Sequence, residues 1–280
     1  MDAVILLNKP AGMTSFDAVA KCRRIFHERK IGHTGTLDPE ASGLMIILLG
    51  KYTKLLPYCV KNHKAYQATL KLGEMTDTED IWGTIINTKT PSIHTEAEID
   101  NAVQSLTGDI LQVPPMYSAL KKDGKKLYEY ARQGIEIERE ARSVHISTLK
   151  VEKINDTNYR MNAVVSSGTY IRTLITDFGK QLDELAIMSS LIRTKIEHLS
   201  LKDACTFEDL ESGVSFLSPI QVIDPTYKIV ETDRVVDIKN GKRIKLDIRD
   251  PQVIFTSNGE LLAAYALQED GLYHCLRGLF

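Results

Sequence analysis

Six consecutive apolar residues, Leu44 to Leu49 in S-G-L-M-I-I-L-L-G, lie between Gly43 and Gly50. A membrane-crossing helix needs about 20 apolar residues, so this run is far too short to span a bilayer. Its length and its bounding glycines make it a strand. Residues 3 to 8, A-V-I-L-L-N, read as a second, buried strand. Burying them needs a sizeable core, and 280 residues with 43% hydrophobic side chains suffice for one large domain and a small one. No other stretch reaches membrane-spanning length, and M-D-A-V-I-L-L-N-K-P has neither a basic leader nor a small-residue cleavage site. A soluble, cytoplasmic protein is expected. Cys22, Cys59, Cys205 and Cys275 are too widely spaced for a redox pair or a zinc knuckle and are expected to be reduced, mostly buried thiols.

Between and beyond these strands the periodicity changes. K-P-A-G-M-T-S turns the chain, and Thr14 or Ser15 caps a helix with Phe16, Val19, Ala20, Ile25 and Phe26 roughly on one side and a basic remainder of Lys21, Arg23, Arg24, Arg29 and Lys30. Residues 64–73 alternate as a half-buried strand, 96–106 repeat as a helix, and 159–166 form another strand, followed by a turn and helix in S-G-T-Y-I-R-T-L-I-T. Residues 118–134 place four lysines around Asp-Gly, predicting a hairpin or flexible loop that leads into a short helix. Sheet alternating with helices predicts an α+β fold: a central mixed or antiparallel sheet flanked by helices and loops. After S-P-I-Q-V-I-D-P the composition shifts to short strands, and the Asn-Gly pairs in V-V-D-I-K-N-G-K-R-I and V-I-F-T-S-N-G-E-L-L are each expected to reverse the chain between strands. The expected domains are therefore 1–224 and a small all-β module, 225–280.

The net charge of −2 is unevenly spread. Residues 1–75 carry eleven Lys and Arg against six acids, whereas residues 76–112 carry one Lys against seven. Such polarity fits a basic face for a polyanion and ordinary solvated charge about equally. The phosphate-cradling G-x-x-x-x-G-K-[ST] loop is missing, which argues against nucleotide hydrolysis. T-D-T-E-D (76–80) lacks the ligand spacing of a calcium loop and reads as solvated acids.

G-H-T-G-T-L-D-P-E-A-S-G (32–43) lies between the basic helix and the apolar strand. Pro39 restricts Asp38 to extended conformations, and Gly32 and Gly35 allow another molecule close to the backbone. Alone, this fits a plain Asp-Pro turn better than a site. Its neighbourhood adds His33, five residues away, and an Arg in S-G-T-Y-I-R that can reach the carboxylate. An Asp paired with Arg stays ionised and serves as a nucleophile rather than a proton donor. His33, Tyr66 and Tyr170 taken singly fit ordinary loop or packing residues. Together, Asp, Arg, Tyr and His suit base chemistry on a nucleic acid, where rings stack on an extruded base and cations bind phosphates.

The same motif, preceded by L-L-N-K-P-A-G-M-T-S, resembles the TruB family of bacterial tRNA pseudouridine synthases. The resemblance continues through K-A-Y (64–66), L-G-E-M-T-D-T-E-D-I-W-G (72–83), P-P-M-Y-S-A-L-K-K-D-G-K-K-L-Y-E-Y-A-R-Q-G, G-T-Y-I-R-T-L (168–174) and L-I-R-T (191–194), covers most of residues 3–200, and weakens beyond. It implies a pseudouridine synthase fold with a thumb-like loop at about 118–140 and a compact PUA-like RNA-binding module. It also implies an isomerase without cofactor or metal that flips uridine-55 out of the tRNA T-loop, breaks its glycosidic bond and rejoins the base through C5. By that resemblance Asp38 is the nucleophile, attacking either C1′ or C6. Tyr66 stacks on the base and assists proton removal from C5, and Arg172 pairs with Asp38. Lys9, His33, Tyr66, Tyr170 and Leu191 fall at substrate-binding positions, with His33 filling space around the flipped nucleotide. The implied partner is the T-arm stem-loop of tRNA, met by a monomer away from membranes. Ile192 departs from the pattern, since relatives often carry a second Arg there. Other readings are a tRNA folding helper independent of catalysis and a carbohydrate hydrolase. The latter wants two facing carboxylates, and the motif offers only Asp38 beside Glu40.

Overall fold

A computed structural model describes all 280 residues, Met1–Phe280. The chain runs β1 (Ala3–Lys9), α1 (Ser15–Phe26), β2 (Ile31–Thr34), β3 (Ser42–Leu49), a 3-10 segment (Gly50–Tyr58), β4 (His63–Leu72), β5 (Glu74–Thr76), β6 (Ile85–Thr88), α2 (Glu96–Ser105) and β7 (Gly108–Gln112). It continues through β8 (Lys121–Lys122), β9 (Lys125–Lys126), α3 (Leu127–Ala131), β10 (Arg142–Lys153), β11 (Asn158–Ser166), α4 (Ile171–Gln181), β12 (Ala186–Ile196) and β13 (Leu199–Ser200). The last elements are α5 (Phe207–Ser212), β14 (Lys228–Glu231), α6 (Val235–Lys239), β15 (Gln252–Ser257), β16 (Glu260–Leu267) and β17 (Tyr273–Gly278). They form two compact units: Met1–Pro39 with Gly43–Lys61 and Ser200–Phe280, and Glu40–Ser42 with Asn62–Leu199.

In the first unit β3 takes β1 and β2 as antiparallel partners, with Leu6 opposite Ile46 and His33 opposite Ile47. Every side chain from Leu44 to Leu49 is fully buried, as an uninterrupted apolar strand requires. Thr14 caps α1 in a reciprocal capping box with Asp17. The buried face of that helix is Ser15, Ala18, Val19 and Cys22. Phe16 was expected on the packing side but is 70% exposed. The helix starts at Ser15, whose side chain turns inward, and Phe16 is the next residue, one step of about 100° around the axis.

The C-terminal strands form a separate sheet ordered β14-β15-β16-β17, with β14 parallel to β15 and the other pairs antiparallel. Ile238, Ile244, Val253, Phe255, Tyr265 and Tyr273 form its core. Asn258 and Gly259, both at positive φ, make the expected tight reversal between β15 and β16. The other Asn-Gly pair does not join strands. Val235–Lys239 is helical, and Asn240-Gly241 ends that helix with Gly241 at φ +67. Ile238 is drawn into the core there, and its carbonyl accepts a hydrogen bond from the Tyr265 hydroxyl at 3.1 Å. The module is anchored to the 3-10 segment of its own unit. Tyr58 meets Tyr227 edge-on at 5.3 Å, and Lys54 Nζ donates to the Phe280 carbonyl at 2.6 Å.

The second unit is built on five antiparallel strands in the order β12-β4-β11-β10-β7. Helix α4 lies close against β12: a Cβ on Gly179 would come within 2.6 Å of the Ala186 Cβ. The Lys-rich segment forms the expected hairpin, β8 to β9, turning through Asp123 and Gly124 at positive φ and running into α3.

Candidate active site

In the first unit Asp38 sits half-buried on the loop between β2 and β3, immediately after the buried Leu37. Two side chains hold that loop. Lys9, fully buried at the end of β1, donates from Nζ to the carbonyls of Pro10 (2.8 Å), Met13 (2.8 Å) and Pro39 (3.1 Å). Ser15 Oγ donates to the Leu37 carbonyl at 3.1 Å and accepts from the Leu37 N–H at 2.9 Å. The residues on both sides of Asp38 are therefore fixed by hydrogen bonds to buried donors, and Lys9 is placed as a clamp on the loop's backbone. His33 lies on β2, half-buried, with its ring edge-on to Phe16 at 6.1 Å. The exposure of Phe16 thus leaves an aromatic pair at the surface beside the Asp38 loop.

In the second unit Tyr66 is on β4, opposite Ala163 of β11 on one side and Arg193 of β12 on the other. Leu191 pairs with Ala68, two residues along, so it stands diagonally across from Tyr66 on the same face of the sheet. The small Ala163 and the buried Leu191 leave the half-exposed tyrosine ring room beside apolar surface.

Arg172 occupies the first turn of α4 and is 5% exposed. Its Nη1 donates to the Thr78 carbonyl and its Nη2 to the Tyr117 carbonyl, both at 2.8 Å. Tyr170, the residue that opens α4, is clamped through its backbone by Gln112: its N–H donates to Gln112 Oε1 at 2.8 Å, and Gln112 Nε2 donates to its carbonyl at 3.2 Å.

The T-D-T-E-D segment, expected to be solvated acids, is instead a hydrogen-bonded turn. Thr78 Oγ1 donates to Asp80 Oδ1 at 2.6 Å, and the Thr84 N–H to Asp77 Oδ1 at 2.7 Å. The Tyr117 hydroxyl donates to Asp77 Oδ2 at 3.3 Å. Glu79, at φ +64, is turned inward and accepts from Thr173 Oγ1 at 2.8 Å. Burial pushes its carboxyl above the usual range, against the pull of the Thr173 hydrogen bond and nearby Arg172. These residues fix the carbonyl that holds Arg172. Sequence reasoning missed this, because the alternation of Thr with acids carries a turn signal only once the partners are known. It also missed Gln112 and Arg193, which sit within ordinary strand patterns.

Comparison with solved structures places the chain in a known α+β class. A Cbf5-Nop10-Gar1 complex superimposes with a TM-score of 0.72 at 24% identity, over 99% of this chain and 85% of that one. An H/ACA RNP bound to a substrate RNA containing 2′-deoxyuridine gives 0.70 at 22% identity, over 99% and 84%. At the level of sequence, the TruB family pseudouridylate synthase N-terminal domain matches residues 23–171, a span that includes His33, Asp38, Tyr66 and Tyr170 and stops one residue short of Arg172. The tRNA pseudouridine synthase B of Geobacillus thermodenitrificans is 42% identical over 95% of this chain and 94% of its own. That of Clostridium perfringens is 47% identical over 87% and 85%. The chain belongs to the TruB family of pseudouridylate synthases. Its fold is the α+β pseudouridine synthase fold with a PUA-like C-terminal β module.

Proposed function

We propose that this protein is an isomerase that converts uridine-55 in the T-loop of tRNA to pseudouridine, with Asp38 as nucleophile. The observation that carries this reading is the sequence match itself, which runs at 42% identity through nearly the whole of a tRNA pseudouridine synthase B. The local geometry supports it. A loop pinned by Lys9 and Ser15 presents one carboxylate, a tyrosine ring stands over apolar neighbours, and a buried arginine is fixed by two carbonyls. In the reaction, the uridine leaves the stack at a cost of a few kcal/mol, offset by contacts with Tyr66, Leu191, Tyr170 and the space-filling His33. Asp38 attacks C1′ or C6, the N1–C1′ glycosidic bond breaks, and the base turns and bonds C1′ through C5. The bond to Asp38 is broken again, so that the carboxylate is released. The C5 proton then leaves with help from Tyr66, and Arg172 keeps Asp38 ionised and oriented.

The domain reading accompanies this proposal: a catalytic part, 1–224, whose Lys-rich thumb at about 118–140 grips the T-arm, and an RNA-binding module, 225–280, acting as a monomer. Phosphate contacts from Lys121, Lys122, Lys125 and Lys126 make the affinity fall with salt. The test is incubation of purified protein with unmodified tRNA followed by chemical mapping of pseudouridine. Wild type is expected to modify position 55 and Asp38→Ala to modify nothing while still binding tRNA. Product from Asp38→Ala would overturn the nucleophile, and modification elsewhere in the tRNA would overturn the target. A folding-helper role independent of chemistry would appear as equal tRNA refolding rates with wild type and Asp38→Asn.

A further inference from the structure

Arg193 is the largest fully buried side chain in the protein, at 1% exposure. Burying a guanidinium costs several kcal/mol unless its donors find partners, so such a residue is held in place by what it bonds. It cannot serve as a phosphate contact, because no RNA reaches it. Directly across the β4–β12 ladder is Tyr66, and the buried guanidinium lies within electrostatic and hydrogen-bonding reach of the Tyr66 phenol. The ladder is also irregular there. Its register shifts between Arg193 and Lys195, and Thr194 Oγ1 turns back to the Ala65 carbonyl at 3.3 Å. A bulge beside a functional residue re-aims side chains, and this one lies opposite the segment that carries Tyr66.

We propose that Arg193 is the positioning residue for Tyr66: buried behind the ring, it fixes the phenol oxygen by a hydrogen bond and so sets the orientation in which the ring meets the flipped base. This rests on the functional reading above, in which Tyr66 faces the substrate. An arginine suits the task better than a lysine because its planar fork holds direction as well as charge. The effect falls on the chemical step rather than on capture of the tRNA, since a misdirected ring disturbs the geometry of reaction while the phosphate contacts stay intact.

The experiment is a double-mutant cycle on single-turnover pseudouridine formation. Arg193→Lys, and Arg193→Gln as a second variant that keeps N–H donors without the charge, are each made in the wild-type and Tyr66→Phe backgrounds, with thermal unfolding and tRNA affinity measured in parallel. In the wild-type background each Arg193 variant is expected to slow the step by about 10- to 100-fold with tRNA Kd changed less than about threefold. In the Tyr66→Phe background, where no phenol oxygen remains, the further loss is expected to be under about threefold. Full independent losses in both backgrounds, an effect on Kd alone, an unchanged rate, or failure of both variants to fold would each overturn the inference. An inactive wild type would overturn the functional reading and this inference with it, whereas an active wild type with rate-neutral Arg193 variants overturns the inference alone.

Discussion

The Arg172 guanidinium joins two segments far apart in sequence, donating to the Thr78 carbonyl and to the Tyr117 carbonyl, each at 2.8 Å. One acceptor belongs to the 76–83 turn and the other to the base of the Lys-rich segment. Tyr117 in turn reaches the first through its hydroxyl on Asp77. The arginine proposed to orient the nucleophile is therefore itself oriented by backbone, which side-chain substitutions nearby do not remove.

Replacing Arg172 with Lys keeps the charge and loses the fork, since one ammonium on a single stem cannot reproduce two diverging N–H directions. Arg172→Lys is expected to lower the single-turnover rate of pseudouridine formation by at least about 100-fold. Its tRNA affinity should stay within about threefold of wild type. A rate loss accompanied by an equal loss of affinity would place Arg172 in RNA binding instead.

Ser15 is 1% exposed and both donates to and accepts from Leu37. Ser15→Ala leaves that buried peptide's N–H and carbonyl without their partner, at a cost of about 1–3 kcal/mol in stability. Because Leu37 adjoins Asp38, the rate of modification is expected to fall as well, with tRNA binding preserved. Denaturant unfolding and a single-turnover assay check the two parts separately, and a stable variant with a normal rate would show that the loop is held by Lys9 without Ser15.

The apolar strand at 44–49, the capped helix after Thr14 and the Asp-Gly hairpin were all legible in the sequence, because each is a local pattern with one physical solution. Asp38, Tyr66 and Arg172 were ordinary taken singly, suited base chemistry only as a set, and received their separate roles from the family resemblance; nothing in their own segments says how their surroundings hold them. Arg193 was silent for a sharper reason. Its placement behind Tyr66 depends on the register of β12 against β4, which bulges at two points shift. Val235–Lys239 misled because V-V-D-I-K alternates like a strand, while Ile238 reaches the core from a helical turn. Side-chain partners across a ladder and local choices settled by a distant core leave no signature in a single segment.

Burial pushes the Cys22 and Cys59 thiols up to about 12, so neither forms an appreciable thiolate at neutral pH, whereas Cys275 is exposed. In the native protein at pH 8, a thiolate-directed reagent is expected to modify Cys275 rapidly, and Cys22 and Cys59 only after denaturation. Mass mapping of the labelled positions checks this. Rapid native labelling at Cys22 would mean that α1 opens on the labelling timescale.

Glu79 predicts a pH dependence of stability with a definite sign. Burial raises its folded-state pKa above the ordinary value of 4.5. Between those two pKa values the folded chain binds more protons than the unfolded one, so this group's contribution to stability declines as pH rises through that window. Asp17, Glu28 and Asp209 are held below their ordinary range by hydrogen bonds and contribute the opposite slope at lower pH, but they are common to wild type and variant and cancel in a comparison. Glu79→Gln keeps an oxygen that accepts from Thr173 Oγ1 and removes the charge. The variant's unfolding midpoint relative to wild type is therefore expected to rise from pH 4 to pH 8. Thermal unfolding of both proteins across that range measures the difference, and a difference that is flat or that falls with pH would show that the carboxylate gains more from Thr173 and Arg172 than it loses by burial.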